Sequence, residues 1–592
     1  MIDLDGILSR VSKPARYIDG EWNSVRKDWD AVQVRLALAF PDVYEVGMSN
    51  FGLAILYEIV NGRPEFLAER AYAPWVDMEA ELRSHGLPLF SLESKRPLGQ
   101  FDVIGFSLAS ELTYTNLLNM LSLAGVPLLA GERGDADPLV IAGGTCAYNP
   151  EPLADFVDLF VIGDGEEVLP ELLEAYGEFS KRDVGHERPA FDRGAFLRRA
   201  ARIEGVYVPS LYAVTYNSDG TMASVEPTAA EAPPVVTRRL VRALPPALVH
   251  TVVPHLNTVH DRGAIEVMRG CPRGCRFCQA GHTYRPVRLR KPEEIMQAVD
   301  DLLACTGYEE VSLLSLSTGD YPRIEDLVQT LGERHQNVNF SLPSLRIDSF
   351  SVALAESVHR KKTSLTFAPE AGTQRLRDVI HKQVTEEDLL RAVEAAYGAG
   401  WSTVKLYFMI GLPTETPDDV AGIGRLIGLT LDVGRRVAGR RAQVNASVAT
   451  FVPKPQTPFQ WSAQNTREEL EAKLQHLHAS VRRGVHLAWH DPETSLLEAA
   501  LARGDRRLGA VILSAWRSGC RFDAWSDHFR PDLWRQAAEE VGLDLAFYAQ
   551  RMRELEEVLP WGHIRGGARP EYLRRQYELA MGQAGESAEK AG

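Results

Sequence analysis

Three thiols stand on one short stretch, Cys271-Pro-Arg-Gly-Cys275-Arg-Phe277-Cys278, at spacings of four and three residues. A glycine-containing loop of that length can turn all three sulfurs toward one point. Thiolates are soft ligands that suit iron–sulfur clusters and zinc. A cubane of four irons ordinarily takes four cysteines, so three would leave one iron open to another ligand. Zinc is a competing reading, with His282 as a fourth ligand, although zinc sites commonly pair their cysteines as CxxC twice or as CxxC with two histidines. A chance cluster is the third.

The elements around this loop follow a repeating pattern. From Ala264 onward strand and helix alternate six times, with strands expected at 264–270, 310–317, 338–347, 364–371, 403–411 and 443–451. Helices fit at 291–305, 323–335, 349–360, 385–399, 416–437 and 466–483. Repeated βα units predict a partial TIM-like (β/α)6 barrel, whose chemistry sits on the loops after the strands. The cysteine loop follows the first of those strands. Residues 34–180 alternate in the same way, with apolar runs at 34–40, 88–92, 102–108, 138–144 and 158–164 as strands, and helices at 51–60, 77–86, 113–124 and 166–176. That pattern predicts a doubly wound, Rossmann-like parallel sheet with ligands at the carboxyl ends of its strands. The expected divisions are 1–180, a linker with a β-hairpin turning at Asn217–Gly220 over 181–258, a core over 259–461, and a helical region over 462–592 whose tail after 582 is small, polar and disordered.

With an aromatic before its last cysteine, CxxxCxΦC resembles the cluster loop of the radical S-adenosylmethionine (SAM) superfamily. The resemblance implies a [4Fe-4S] cluster on Cys271, Cys275 and Cys278, with Phe277 as the aromatic, and SAM chelating the open iron. It also implies a SAM contact at several strand ends. Ser317-Thr318-Gly319-Asp320 stands where the family has a GGE motif for the SAM amino group, with Asp320 keeping an acidic acceptor. Arg346 ends the third strand. Glu370, with Arg375 after it, resembles the segment contacting ribose and carboxylate, and Gly411 the adenine contact. Arginine suits a carboxylate because its planar fork can bond both oxygens. Glu415 reads equally as a cap for the next helix.

The amino-terminal third carries a second resemblance. Asp42-Val-Tyr44-Glu-Val-Gly47 is similar to the DxHxxG loop of cobalamin-binding domains, with tyrosine in the histidine position. Ser107, then Gly143-Gly144-Thr145, close later strands where that family accepts the nucleotide tail of the corrin. With Tyr44 there, the usual imidazole ligand to cobalt is missing, so cobalamin binds with another lower face or has been lost. Tyr284-Arg285-Pro286 and Phe451-Val-Pro-Lys-Pro-Gln-Thr-Pro-Phe-Gln-Trp461 resemble uncharacterised bacterial proteins that join a cobalamin-type domain to a radical SAM core, over about residues 30–575. The family implies an electron donor of the flavodoxin or ferredoxin type. Three readings follow: a cobalamin-dependent radical SAM methyltransferase acting on an unactivated carbon; a radical SAM enzyme whose cobalamin-free front domain recognises RNA or another macromolecule; and a non-catalytic iron–sulfur protein.

Composition bounds these readings. The 592 residues exceed what one core supports and are 45% hydrophobic and 24% charged, as in ordinary soluble proteins. No apolar run reaches the length of a membrane span, and the amino terminus lacks a signal-peptide core. Six cysteines, three of them in one loop, fit a reducing compartment, the cytoplasm by default. A net charge of −15 opposes nonspecific nucleic-acid binding. Yet Arg269, Arg273, Arg276, Arg285, Arg288, Arg290 and Lys291 lie close together without an intervening Asp or Glu. They either offset the cluster and the SAM carboxylate, or face water, or meet an anionic substrate such as RNA. Cys146, Cys305 and the late tryptophans (Trp516, Trp525, Trp534, Trp561) read as packing residues, and Cys520 is unassigned.

Overall fold

The structure, a computed structural model, describes residues 4–180, 191–344, 346–348, 364–482 and 484–589. Its first sheet has six strands: β1 (Val34–Phe40), β2 (Phe66–Tyr72), β3 (Val103–Ser107), β4 (Leu139–Gly143), β5 (Leu159–Val161) and β6 (Val206–Tyr207). They lie in the order β2-β1-β3-β4-β5-β6, parallel except for β6. β1 is buried at every position, as a strand covered on both faces must be. Four of the five expected strands are present. The fifth, 88–92, makes only an isolated bridge between Phe90 and Pro97. Its place in the sheet belongs to β2, whose Glu69 and Arg70 break the apolar run although both are buried. Arg70 is neutralised inside: Glu21 lies 2.5 Å away and Glu93 2.7 Å away.

The hairpin forms as expected, with β7 (Tyr212–Tyr216) antiparallel to β8 (Met222–Pro227). Beyond it a short strand, β9 (Val236–Thr237), precedes the second αβ region. There β10 (Gly263–Glu266) and β11 (Met268–Arg269) divide the first expected barrel strand, and β11 pairs antiparallel with β12 (Arg288–Leu289). β10, β13 (Glu310–Leu314) and β14 (Asn339–Ser341) form one parallel sheet. β15 (Ser364–Glu370), β16 (Thr403–Ile410), β17 (Gln443–Thr450) and β18 (His486–Trp489) form another. All six predicted strands are there, plus β18. Among the described residues the two half-sheets share no pairing. The helix expected at 349–360 lies outside the described residues.

The carboxyl-terminal helices serve the front of the molecule. Leu497, Val511, Ile512, Trp534 and Tyr548 enter the same apolar core as Ile104, Leu117, Val140 and Phe160. A last short strand, β19 (Ile564–Arg565), pairs with β9. The closing helix runs Pro570–Glu589, into the stretch read as a polar tail. No helix among the described residues is long and apolar enough to cross a membrane.

Candidate functional site

The cysteine loop leaves β11 through Gly270, whose positive φ of 87° only glycine adopts freely. It is held from below by the segment after β15. The Arg276 amide donates to the Ile380 carbonyl at 3.0 Å, and a ring nitrogen of His381 lies 3.1 Å from the Gly274 carbonyl. Cys278 caps the helix Gln279–Thr283, its sulfur accepting from the Gly281 amide. Burial pushes the Cys275 thiol up and the Cys278 thiol up to about 11, with Cys271 adding to both shifts.

Among the described residues no three His, Cys, Asp or Glu side chains converge closely enough to hold a single metal ion. A zinc site would need its sulfurs about 2.3 Å from one point. In a cubane each cysteine binds a different iron, so neighbouring but separated thiols on one loop fit the cluster better. His282 sets its Nε2 3.2 Å from the Cys275 carbonyl, and burial lowers its pKa to about 4. Cys271, Cys275 and Cys278 are the three free thiols this loop offers to such a cluster.

Several predicted strand ends gather round this loop. Arg273 donates through Nε to Asp320 at 2.9 Å, and its second nitrogen bonds the same carboxylate. Ser317 donates to Asp320 at 2.6 Å. Burial alone would raise the Asp320 pKa, but these bonds hold it below the ordinary carboxylate range. Arg273 also lies 3.5 Å from Asp348, which accepts from Arg346 Nε at 2.8 Å. Glu370, at a left-handed φ of 69°, pairs with half-buried Lys382 at 3.0 Å. Thr318 is turned away, its hydroxyl donating to the Pro343 carbonyl at 2.9 Å. Phe277 packs beside Ala371, Phe451 and Trp461.

Arg375 and Gly411 form a separate group. Arg375 bonds the Thr414 carbonyl at 2.9 Å and the Asp419 carboxylate. The Gly411 amide donates to Glu415 at 2.8 Å, and Lys473 neutralises that carboxylate at 2.7 Å. Thr416, with Asp419, caps the following helix, so Glu415 shapes the Gly411 turn rather than capping. Arg273, Asp348 and Lys382 also meet the predicted residues here, and sequence reasoning did not single them out as site candidates. Arg273 lay inside the basic run, where it looked like one charge among many.

That run is largely turned inward. Arg269 reaches Glu166 at 2.5 Å and Glu266 at 2.8 Å, and Arg288 pairs with Asp164. Arg276 donates to the Val379 carbonyl at 2.7 Å, Arg285 to that of Arg273 at 2.6 Å, and Arg290 to that of Glu266 at 3.1 Å. These cations join the front sheet to the barrel and brace the cysteine loop.

Between the two lies a cavity of about 450 Å³. Ser107, Gly143 and Gly144 wall it on the sheet side, Leu36, Leu38, Leu53 and Leu56 line its depth, and Met268, Arg269 and Gly270 close it beside the cysteine loop. The other cobalamin-like residues are committed elsewhere. Tyr44 is 2% exposed, donates its hydroxyl to Glu21, and meets Tyr72 edge to face. Asp42 accepts from Trp525 Nε1 at 3.1 Å, and Thr145 donates to the Ala109 carbonyl at 3.3 Å. Gly47 borders a smaller neighbouring cavity of about 170 Å³. Glycine at 144 is explained by the fold alone, since a Cβ there would stand 2.5 Å from the Leu108 carbonyl. Trp534 and Trp561 are buried, and Trp516 donates to Asn119 at 3.3 Å, so the late tryptophans pack.

Comparison with known proteins adds the following. The family described as "Radical SAM proteins, N-terminal" matches residues 52–209, and "Radical SAM superfamily" matches residues 265–427. An uncharacterized protein of Methanocaldococcus jannaschii is 27% identical over 443 residues, covering 73% of this chain and 84% of its own. The tRNA-2-methylthio-N(6)-dimethylallyladenosine synthase of Bacillus subtilis is 24% identical over 179 residues, 28% of this chain and 35% of its own. Among solved structures, the cobalamin-dependent S-adenosylmethionine radical enzyme OxsB with aqua-cobalamin bound is 13% identical, aligned over 94% of this chain and 80% of that one with a TM-score of 0.45.

Proposed function

The chain belongs to the radical SAM superfamily and is an enzyme of that class, and from that premise we propose that it is a cobalamin-dependent methyltransferase acting on an unactivated carbon. The observation that carries this reading is the cavity between front sheet and barrel. It opens beside Gly270, one residue before Cys271, and its opposite wall is made of Ser107, Gly143 and Gly144. A large macrocycle with an apolar face suits those walls, and the small side chains let it approach the strand ends closely.

The chain's own part is to hold and shield. Cys271, Cys275 and Cys278 would bind the cluster, with Asp320, Arg346 and Glu370 near enough to orient SAM at the open iron. When bound, the cluster supplies the electron that splits SAM into methionine and a 5′-deoxyadenosyl radical. Arg269, held by Glu166 and Glu266, and Arg288, held by Asp164, would keep the two walls together and water out. The electron comes from a donor of the flavodoxin or ferredoxin type.

A second reading is supported by Tyr44. Its hydroxyl is tied to Glu21, so the loop that resembles DxHxxG offers cobalt no ligand. On that reading the front domain has lost the corrin, and the cavity holds substrate. The internal pairing of the basic run takes support from an RNA partner. Anaerobic reconstitution with hydroxocobalamin, followed by gel filtration, separates the readings. The proposal expects corrinoid absorption to elute with the protein and to be lost in Ser107→Trp, which fills the cavity. Wild-type protein that elutes without corrinoid would overturn it.

A further inference from the structure

The inner face of the second half-sheet is unlike the inside of a closed barrel. Leu365, Phe367, Val404, Leu406, Phe408, Val444, Ala446 and Val448 are buried under the helices Glu386–Gly398 and Pro417–Ala438. The alternate residues therefore point inward, and along β15, β16 and β17 they are exposed or half-buried. Parallel sheets are normally covered on both faces, and TIM-type interiors are filled with branched apolar side chains. Here Thr366, Lys405, Asn445 and Ser447 make part of that face polar, beside Ala368, Met409 and Ala449. One row crosses all four strands in register: Thr366 opposite Lys405, Lys405 opposite Asn445, Asn445 opposite His486. At strand spacing that row is about 14 Å long.

Lys405 is the informative member. Lys382, Lys454 and Lys473, around the same barrel, each meet a carboxylate, at 3.0, 2.7 and 2.7 Å. Lys405 instead lies 4.7 Å from the ring centre of Tyr407, itself 38% exposed, and among the described residues it meets no carboxylate. A cation left without an acid on a partly polar inner face is complementary to an anion. We infer that the substrate, held on the inner face of β15–β18, is a small polar compound whose carboxylate or phosphate is taken by Lys405. One cation matches one oxyanion, and the chain's net charge of −15 opposes a polyanion. The inference rests on the radical SAM reading above, but not on cobalamin.

The test uses the reconstituted full-length protein with SAM and dithionite. Extract of source cells grown in deuterium oxide is divided into macromolecules, small molecules retained on an anion exchanger, and small molecules that flow through. A substrate gives one deuterium to the 5′ carbon: its C–D bond breaks, a C–D bond forms in 5′-deoxyadenosine, and the substrate keeps the unpaired electron. Mass spectrometry reads deuterium per 5′-deoxyadenosine formed, which corrects for differences in folding or cluster content. The expected result is transfer from the retained small molecules, falling about tenfold in Lys405→Met and largely kept in Lys405→Arg. Elution at higher salt distinguishes phosphate from carboxylate compounds. Transfer from the flow-through or the macromolecules, from no fraction, or undiminished in Lys405→Met would overturn the inference. Failure to form any 5′-deoxyadenosine would instead remove the reading on which it rests, and the inference with it.

Discussion

Asp523 shows how a single buried group sets a condition on the whole. It is 1% exposed, accepts from Thr115 at 2.6 Å and Trp534 at 2.9 Å, and burial pushes its pKa up to about 6. The native state thus holds this proton more tightly than the unfolded chain. Its contribution to stability is complete below the unfolded pKa, about 4, and declines as pH rises through about 6. Asp523→Asn removes the ionisation. We expect the variant to match wild type near pH 4.5 and to exceed it by about 2 kcal/mol at pH 7.5, read from melting temperatures across that range. At the same scale, the three cysteines were singled out by residue type and spacing, and Asp320 by its place at a strand end, where the sequence departs from the family's GGE motif. Arg273, Asp348 and Lys382 were not, since their roles depend on loops that meet only in the fold. Asp42 fits the DxHxxG-like pattern and Tyr44 departs from it, and their side chains are engaged by Trp525 and Glu21.

Among the elements, visibility in the sequence followed hydrophobic continuity. β1, β3, β4 and β5 are near-unbroken apolar runs, and they were found. β2 was hidden by Glu69 and Arg70, charges that are buried because Glu21 and Glu93 meet the arginine. The apolar run at 88–92 looked like a strand but finds no continuous partner. β18 was missed because three of its four residues are exposed. The account of β2 makes a strong demand: Arg70→Met would strand two carboxylates in the interior. The expected cost is about 3–5 kcal/mol, measured by urea unfolding, with partial recovery when Glu93→Gln is added.

Over the whole molecule, the front sheet, the barrel and the carboxyl-terminal helices depend on one another. The sequence showed a front domain, a core and a helical tail region. It could not show that the tail region completes the front core, because that packing joins residues hundreds of positions apart. Asp164 is the joint between front and barrel, accepting from Arg288 and the Val241 amide, the latter at 3.0 Å. Asp164→Ala should uncouple the halves, so calorimetry should show two separated melting transitions for the variant and overlapping ones for wild type. On the corrinoid proposal, the same variant should also fail to retain corrinoid, because the cavity walls would no longer be held in place.

The most direct measurement is of metal and product together, on anaerobically reconstituted protein given SAM and dithionite. The account predicts about four irons per chain and steady formation of 5′-deoxyadenosine, with both abolished when Cys271, Cys275 and Cys278 are all replaced by alanine. Wild-type protein that holds a single zinc and leaves SAM intact, or a triple variant that still forms 5′-deoxyadenosine, would contradict it.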